Sequence, residues 1–410
     1  MLSLFQGHGI ELEYMIVDAE SLRVAPLCDR LLAAAGDDGG GVVDFDDIGW
    51  SRELARHVVE LKTSGPVAHL AGVAEHFNKH ILRMESILRP MGALLLPGAM
   101  HPWMDPEHDF QVWPHEGSDV YDAFDRIFGC KGHGWSNLQS MHINLPFAND
   151  DEFARLHTAM RLVMPIIPAL SASSPFREGK FVAMDTRLMV YRDNAKKIPS
   201  VSGLVIPDLV LSQAAYQTQI LDPIYRDMAP FDPEGVLAHE WVNARGCIAR
   251  FDRMAIEMRV IDVQECPAAD LAIASLVTAV IKALVEERFS SANAQQALST
   301  PALAALLERS IRDAECAVID DSAYLRALGL SSVTSMSAGE IWRDLAKRVA
   351  DWSPDVVAYS KPLQVILREG PLARRLVKSA GESPSRASLK SAYTEMASCL
   401  SKGTMFGAIA

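Results

Sequence analysis

The 410-residue sequence is poor in paired thiols: its cysteines are Cys28, Cys130, Cys247, Cys266, Cys316 and Cys399, none within four residues of another. That spacing excludes CxxC zinc and dithiol motifs, and scattered thiols in a chain this long suit a reducing compartment. Long apolar runs are also lacking. The longest, Leu271 to Val285, is interrupted by Ser275, Thr278 and Lys282, and it is too short and too polar to span a bilayer. The opening MLSLFQGHGIELEY has no basic stretch ahead of an apolar one, so no signal peptide is expected. These absences predict a soluble, cytoplasmic chain with no membrane partner.

Basic residues are in deficit. Lys and Arg number 39 against 52 Asp and Glu, a net charge of −13. An acidic surface repels phosphate backbones, so no nucleic-acid partner is expected. GxxxxGK[ST], HExxH and GxSxG are absent, which excludes a Walker-type ATP loop, a zincin and a nucleophile elbow. No helix in register follows GDDGGG (36–41), so it is no dinucleotide fingerprint, and GCKGHGW (129–135) reads as a flexible turn.

What is present is an ordinary globular balance, 49% hydrophobic and 22% charged, in a chain long enough for two or three domains. Strand-like patterns occupy 9–17, 57–63, 93–98, 140–147, 186–192 and 255–262. Helical spacing runs from Pro66 to Leu88, from about Asp150 to Leu170 with a kink near Pro165 and Pro168, and from Pro267 to about Arg288. Residues 100–137, rich in His, Pro, Asp and Trp, read as a long irregular loop. After about Ser290 only helices are expected, near 300–312, 321–328, 338–351, 362–378 and 386–401. The fold class is therefore α+β: a core over 1–290 and a helical C-terminal region over 291–410.

Four strand candidates carry polar residues two apart: Glu11 and Glu13, Glu60 and Lys62, His142 and Asn144, Glu257 and Arg259. Residues i and i+2 of a strand project from one face, roughly 6.5–7 Å apart. In one sheet, these would form a face lined with Glu11, Glu13, Glu60, His142 and Glu257. Ile10, Leu12, Val59, Leu61, Ile143, Ile256, Met258 and Val260 would face helices on the other side. Clustered carboxylates repel one another, and divalent cations relieve the repulsion. Oxygen-rich sites with one imidazole suit Mg²⁺ or Mn²⁺ better than Zn²⁺. Lys62 and Arg259 would add positive charge for phosphate. Spacing alone leaves open a second reading, a sheet with one solvated face.

The segments GIELEYMIVD (9–18), Glu53 to Thr63, GAMHPW (98–103), MHINLPF (141–147), PALSASSPF (168–176), MVYRDN (189–194) and IEMRVIDVQECP (256–267) together resemble the glutamate–cysteine ligase type 2 family, or carboxylate–amine ligases, of the glutamine synthetase-like fold. The resemblance implies a curved antiparallel sheet whose concave face holds Mg²⁺, with Mn²⁺ as the alternative ion. It implies ATP-dependent joining of an amino-acid-like carboxylate to an amine through an acyl phosphate, and a homo-oligomer. Carried over by position, Glu11, Glu13, Glu53, Glu60, His142 and Glu257 would hold metal. Glu257, Arg259 and Arg192 would act on substrate, and Lys62, Arg259 and Arg187 on nucleotide; whether Arg187 or Arg192 faces substrate stays open. His101 lies in a matching segment without an assigned role. His142-Ile143-Asn144 stands where many members have HxH, and Met254-Ala255 where Gly-Thr is common, so the substrates are less fixed than the chemistry. A metal-dependent hydrolase of amide or γ-glutamyl bonds is the alternative activity, and a silent binding protein the third.

Overall fold

Alternation of apolar and polar side chains builds the central sheet of this protein, whose computed structural model describes residues 1–407. The strands are β1 (Gly9–Asp18), β2 (Val42–Val43), β3 (Ile48–Arg52), β4 (Val58–Thr63), β5 (Ala93–Leu96), β6 (Ser140–Pro146), β9 (Cys247–Arg250) and β10 (Ala255–Asp262); a separate small hairpin forms β7 (Phe176–Arg177) and β8 (Lys180–Phe181). The sheet runs β2-β3-β4-β1-β6-β10-β9, with β5 beside the last residues of β1. All of its pairings are antiparallel.

Register places the chemistry. Glu11 stands opposite Lys62 on one side and His142 on the other, and Glu13 opposite Glu60. Glu257 pairs with Asn144. A one-residue slip would turn every one of these side chains into the core. The opposite face is as expected: Ile10, Leu12, Val59, Leu61, Ile143, Ile256, Met258 and Val260 are all fully buried. Each such aliphatic side chain contributes about 1.5–3 kcal/mol of burial free energy. They share one core with the helices Val73–Leu88, Asp150–Val163 and Pro267–Val285.

Among the described residues, Pro267–Val285 is the one helix long and apolar enough to cross a membrane, and 89% of that stretch is buried inside the fold. It is a core helix. The helices Thr300–Asp313, Ala338–Ala350 and Ser360–Glu369 add Leu303, Trp342 and Leu363 to the same core. Trp342 Nε1 donates to the Ile166 carbonyl at 2.7 Å. A smaller core joins Met15, Val17, Leu94 and Leu96 to Leu372, Leu376, Tyr393 and Met396 of the last two helices. The division near residue 290 stays a proposal from composition; apolar contacts run across it.

Five expectations need correction. The region after Ser290, expected to hold helices alone, also contains a two-stranded antiparallel ribbon of Val318–Ile319 and Met336–Ser337. The helix expected from Pro66 starts at Val73, because the Leu70 and Ala71 amides bind the Asp355 carboxylate and Gly72 turns left-handed at φ 86°. TRLMVYR is a helix, Thr186–Tyr191, in place of a strand; Asp185 caps it by accepting from the Leu188 amide. The expected loop 100–137 contains helices at Pro106–Asp109, Ser118–Phe128 and His133–Ser136. The helix expected over 362–378 is two, Ser360–Glu369 and Leu372–Ala380, broken where Gly370 sits at φ 89° and Pro371 lacks an amide hydrogen.

Candidate active site

The polar face of the sheet opens into a cavity of about 600 Å³. Five carboxylates line it: Glu11, Glu13, Glu53, Glu60 and Glu257. So do six cations, Arg52, Lys62, Arg187, Arg250, Arg253 and Arg259. The two signs are not evenly mixed. Glu11, Glu13 and Glu60 project from β1 and β4, with Glu53 just after β3, whereas Arg250, Arg253 and Arg259 belong to β9, β10 and the turn between them.

Oxygen and nitrogen atoms of Glu11, Glu60 and His142 come within 4.8 Å of one another, and so do those of Glu13, Glu53 and Glu60. Glu60 belongs to both groups. Five of the six residues expected to hold metal thus form two adjoining clusters. The sixth, Glu257, is in neither: Arg259 Nε meets its Oε1 at 2.5 Å and Arg250 donates to its Oε2 at 3.1 Å. Its Oε1 lies 3.6 Å from His142 Nδ1.

Crowding of negative charge is visible in the acidities. Burial first, then the Glu11 and Glu13 charges, push Glu60 up to about 7, against the pull of Lys62 and Ser51. Burial and the charges of Glu60 and Glu13 push Glu53 well above the ordinary range. Burial works in the same direction on Glu11, but its hydrogen bond to His142 and the charges of His142 and Lys62 outweigh it and hold Glu11 at about 2. Burial would deprotonate His142, yet Glu11, Glu13 and Glu257 together raise it to about 9.

The hydrogen bonds agree with a charged imidazole. His142 Nδ1 lies 2.8 Å from Glu11 Oε2, which can only accept. Ser140 Oγ donates to Glu13 Oε2 at 3.0 Å, so it accepts from His142 Nε2 at 2.8 Å. Both ring nitrogens therefore donate. Without metal, the imidazolium serves as counter-ion to the carboxylates. The donor set, hard oxygens with one imidazole, fits Mg²⁺ or Mn²⁺.

The open choice between two arginines becomes clear in space. Arg187 lines the cavity and is 2% exposed. Its Nη1 donates to Asp262 Oδ1 at 3.3 Å and its Nη2 to the Arg259 carbonyl at 2.7 Å. Asp262 in turn accepts from the Ser173 amide and the Ser174 hydroxyl, both at 2.8 Å. SASSPF and the aspartate three residues after Arg259 are thus parts of one arginine clamp. Arg192 is not among the cavity residues. Its guanidinium pairs with Glu308 at 2.7 Å and with Asp193 on a partly exposed surface. His101, 1% exposed, is tied to the Leu22 carbonyl through Nε2 at 2.7 Å and lies outside the cavity lining.

Several residues in the cavity wall or bonded to it had escaped notice. Ser51 donates to Glu60 Oε1 at 2.6 Å and accepts from Lys62 at 3.0 Å, and Arg250 holds Glu257. Ser140, two residues before His142, could have been found by the i, i+2 rule that found the others. Phe124, Trp135 and Trp241 wall one side of the cavity, with ring centroids 5.0 Å (Phe124–Trp135) and 5.9 Å (Phe124–Trp241) apart. GCKGHGW supplies part of this wall. A Cβ on Gly134 would lie 1.5 Å from Asn194 Oδ1, so only glycine lets Asn194 close against the backbone there.

The sequence profile of glutamate–cysteine ligase family 2 (GCS2) matches residues 8–395. An uncharacterised protein of Archaeoglobus fulgidus is 36% identical over 279 residues, 68% of this chain and 75% of that protein. A putative glutamate–cysteine ligase 2-3 of Rubrobacter xylanophilus is 26% identical over 196 residues, 48% of this chain and half of its own length. The crystal structure of a glutamate–cysteine ligase from Francisella tularensis, in complex with AMP, superposes with a TM-score of 0.62 at 12% identity, covering 96% of this chain and 88% of that one. At that identity the likeness is one of fold.

Proposed function

The chain belongs to glutamate–cysteine ligase family 2, and from that premise we propose that it is an ATP- and Mg²⁺-dependent carboxylate–amine ligase forming an amide bond, of γ-glutamyl type, through an acyl phosphate. One observation carries this reading. Two carboxylate clusters sharing Glu60 and a group of arginines around Arg259 face the same cavity. Phosphoryl transfer from ATP to a carboxylate needs both, because negative charge spreads over the transferred group while two anions are brought together. The AMP-bound relative of the same fold supports a nucleotide in this cavity.

In this reading, a substrate carboxylate oxygen attacks the γ-phosphorus and ADP leaves. The amine nitrogen then attacks the acyl carbon, the acyl C–O bond breaks with its electron pair leaving on phosphate, and the nitrogen gives up one proton to solvent. Glu11, Glu13, Glu53, Glu60 and His142 would hold the metal ions, which supply charge against the phosphate oxygens when bound. As a ligand His142 would be neutral, and a bound cation would relieve the carboxylates of their mutual repulsion. Arg259 and Arg187 hold the anionic groups of phosphate and acid in line, and Lys62 adds charge from β4. No residue is required as a covalent nucleophile. Orientation and fixed charge supply the acceleration.

The test is product analysis with ATP and Mg²⁺ over a panel of amino acids, glutamate and cysteine first. ADP release that requires both an acid and an amine, with the amide found by mass, is the expected result. Amide cleavage without ATP would replace ligation with hydrolysis by the same metals.

A further inference from the structure

The catalytic cavity has two unlike sides. Its charged groups come from the sheet, from the ends of its strands and from Arg187, and they make a floor. The facing wall is built by the helix Ser118–Phe128, by residues 133–138 and by residues 241–244. No charged side chain from these three stretches lines the cavity. Phe124 follows Val120 by four residues and Tyr121 by three, so the three share one helical face, while Asp119, Asp122 and Arg126 are exposed to solvent. Trp135, Leu138 and Trp241 complete the wall. All of these but Phe124 are only half-buried. Apolar side chains left open to a cavity forgo burial free energy, which a ligand with an apolar part restores.

The wall stands over the junction of the two charges. At one end, a Cβ on Gly117 would collide with the Arg52 guanidinium, so the helix starts against the residue before Glu53. Leu138 stands two residues before Ser140, whose amide donates to Glu13 Oε2 at 2.7 Å. At the other end, Glu240 Oε2 accepts from the Phe251 amide at 2.9 Å, which ties Trp241 to the turn that carries Arg253. Phe124 lies between the two ends, with ring centroids 5.0 Å from Trp135 and 5.9 Å from Trp241. Ligation brings three molecules here. The acid and the triphosphate carry anions, which belong on the floor. The adenine ring is held away from the γ-phosphorus by the ribose and two phosphates. The substituent of the amine, in contrast, is a bond or two from a nitrogen that must come within about 3–3.5 Å of the acyl carbon. A carboxylate on that substituent, as in an α-amino acid, would find no cation on the wall.

We propose that the acceptor is a primary amine carrying a flat apolar group and no carboxylate, an arylalkylamine; this rests on the ligase reading and narrows its substrate. The ring packs against Phe124, Trp135 and Trp241, in the offset or edge-to-face geometry that aromatic groups favour. The floor carboxylates draw the ammonium end toward the acyl phosphate.

Rates of amide formation by the full chain with ATP and Mg²⁺ test this, with hydroxylamine, ethylamine, phenethylamine and cysteine offered against each acid of the panel. Hydroxylamine needs no wall: it displaces phosphate from an acyl phosphate, loses one proton to solvent and leaves a hydroxamate, so it reports on ligation alone. Phenethylamine is expected to exceed both ethylamine and cysteine in kcat/KM by about tenfold or more. The ratio of phenethylamine to ethylamine should fall about tenfold in Phe124→Ala, through the KM for the amine. It should fall likewise in Val120→Asp, which puts a charge on the wall and removes no packed ring. Phenethylamine failing to exceed both other amines would overturn the inference and leave the ligase reading standing, the wall then serving only to exclude water. So would an unchanged ratio in both variants, or a raised KM for ATP in Phe124→Ala with the amine ratio intact, which would make the wall the adenine seat. Absence of hydroxamate with every acid would remove the ligase reading, and this inference with it.

Discussion

Arg187 and Arg192 are five residues apart in sequence and chemically identical, yet only the first has a partner that aims it into the cavity. Asp262 and the Arg259 carbonyl fix the guanidinium of Arg187 from two sides. Lysine has neither the planar fork nor the reach to satisfy both. Arg187→Lys should therefore lower kcat/KM by about 10- to 100-fold, the range for losing hydrogen bonds to a charged group. Arg192→Ala removes a surface ion pair worth about 0–1 kcal/mol and should leave kcat/KM within about twofold. Equal losses in the two variants would remove the assignment. A second residue-scale prediction concerns His157, fully buried and stacked on Phe153 with centroids 5.4 Å apart. Burial first, then Arg161 and Arg245, lower its pKa to about 3. The unfolded chain takes up this proton near pH 6.5 and the folded chain does not, so the residue costs stability as pH falls from 6.5 toward 3. Other buried acids shift the whole curve, but a difference isolates one group. Relative to wild type, His157→Phe should gain about 2 kcal/mol between pH 8 and pH 5 in urea unfolding. A gap that does not change with pH would refute the protonation account.

At the scale of elements, what the sequence reveals depends on how local the cause is. β1, β4, β6 and β10 announce themselves because apolar and polar residues alternate within each, and their facing pairs can be read without knowing the neighbours. β3 and β9 have weaker alternation. Ser51 meets Glu60, and Arg250 reaches the cavity, only because β4 and β10 pair with those strands. TRLMVYR shows the opposite failure. Its residues read as a strand, but Asp185 caps it as a helix, a local signal that the strand reading passes over, and burial beside Asp262 adds to it. Within residues 100–137, Val120, Ala123, Phe124 and Ile127 do carry helical spacing, which the loop reading passes over because the His-, Pro- and Asp-rich flanks have none; the Phe124–Trp135 contact seats that helix. The last helices carry a prediction of their own. Leu376 is fully buried in the smaller core that also holds Met15 and Val17 of β1's second half. Leu376→Ala should cost about 2–5 kcal/mol and lower a single unfolding transition. Two separated transitions would mean that the C-terminal helices unfold as an independent module.

Over the whole molecule, a net charge of −13 and two fused carboxylate clusters set the folded state against itself in the absence of cations. Glu60 is where the conflict concentrates, since it belongs to both clusters and its pKa is raised to about 7 by burial and by Glu11. Two effects of opposite sign follow from removing its charge. In metal-free protein, Glu60→Gln relieves repulsion while keeping a group that can still accept from Ser51 and Lys62, so its melting temperature should equal or exceed that of wild type. In wild type, Mg²⁺ at about 100 times its dissociation constant should stabilise the fold by about 2.7 kcal/mol, a shift of a few degrees for a chain this long. In Glu60→Gln both clusters lose a shared ligand, and the Mg²⁺-dependent shift should vanish at the same concentration. Thermal melts of the two proteins with chelator and with Mg²⁺ give all four values. Persistence of the full shift in the variant would mean that cations bind elsewhere. A lower chelated melting temperature in the variant would mean that the Glu60 charge stabilises the sheet, and the clusters would then be ion-pair networks without a metal role.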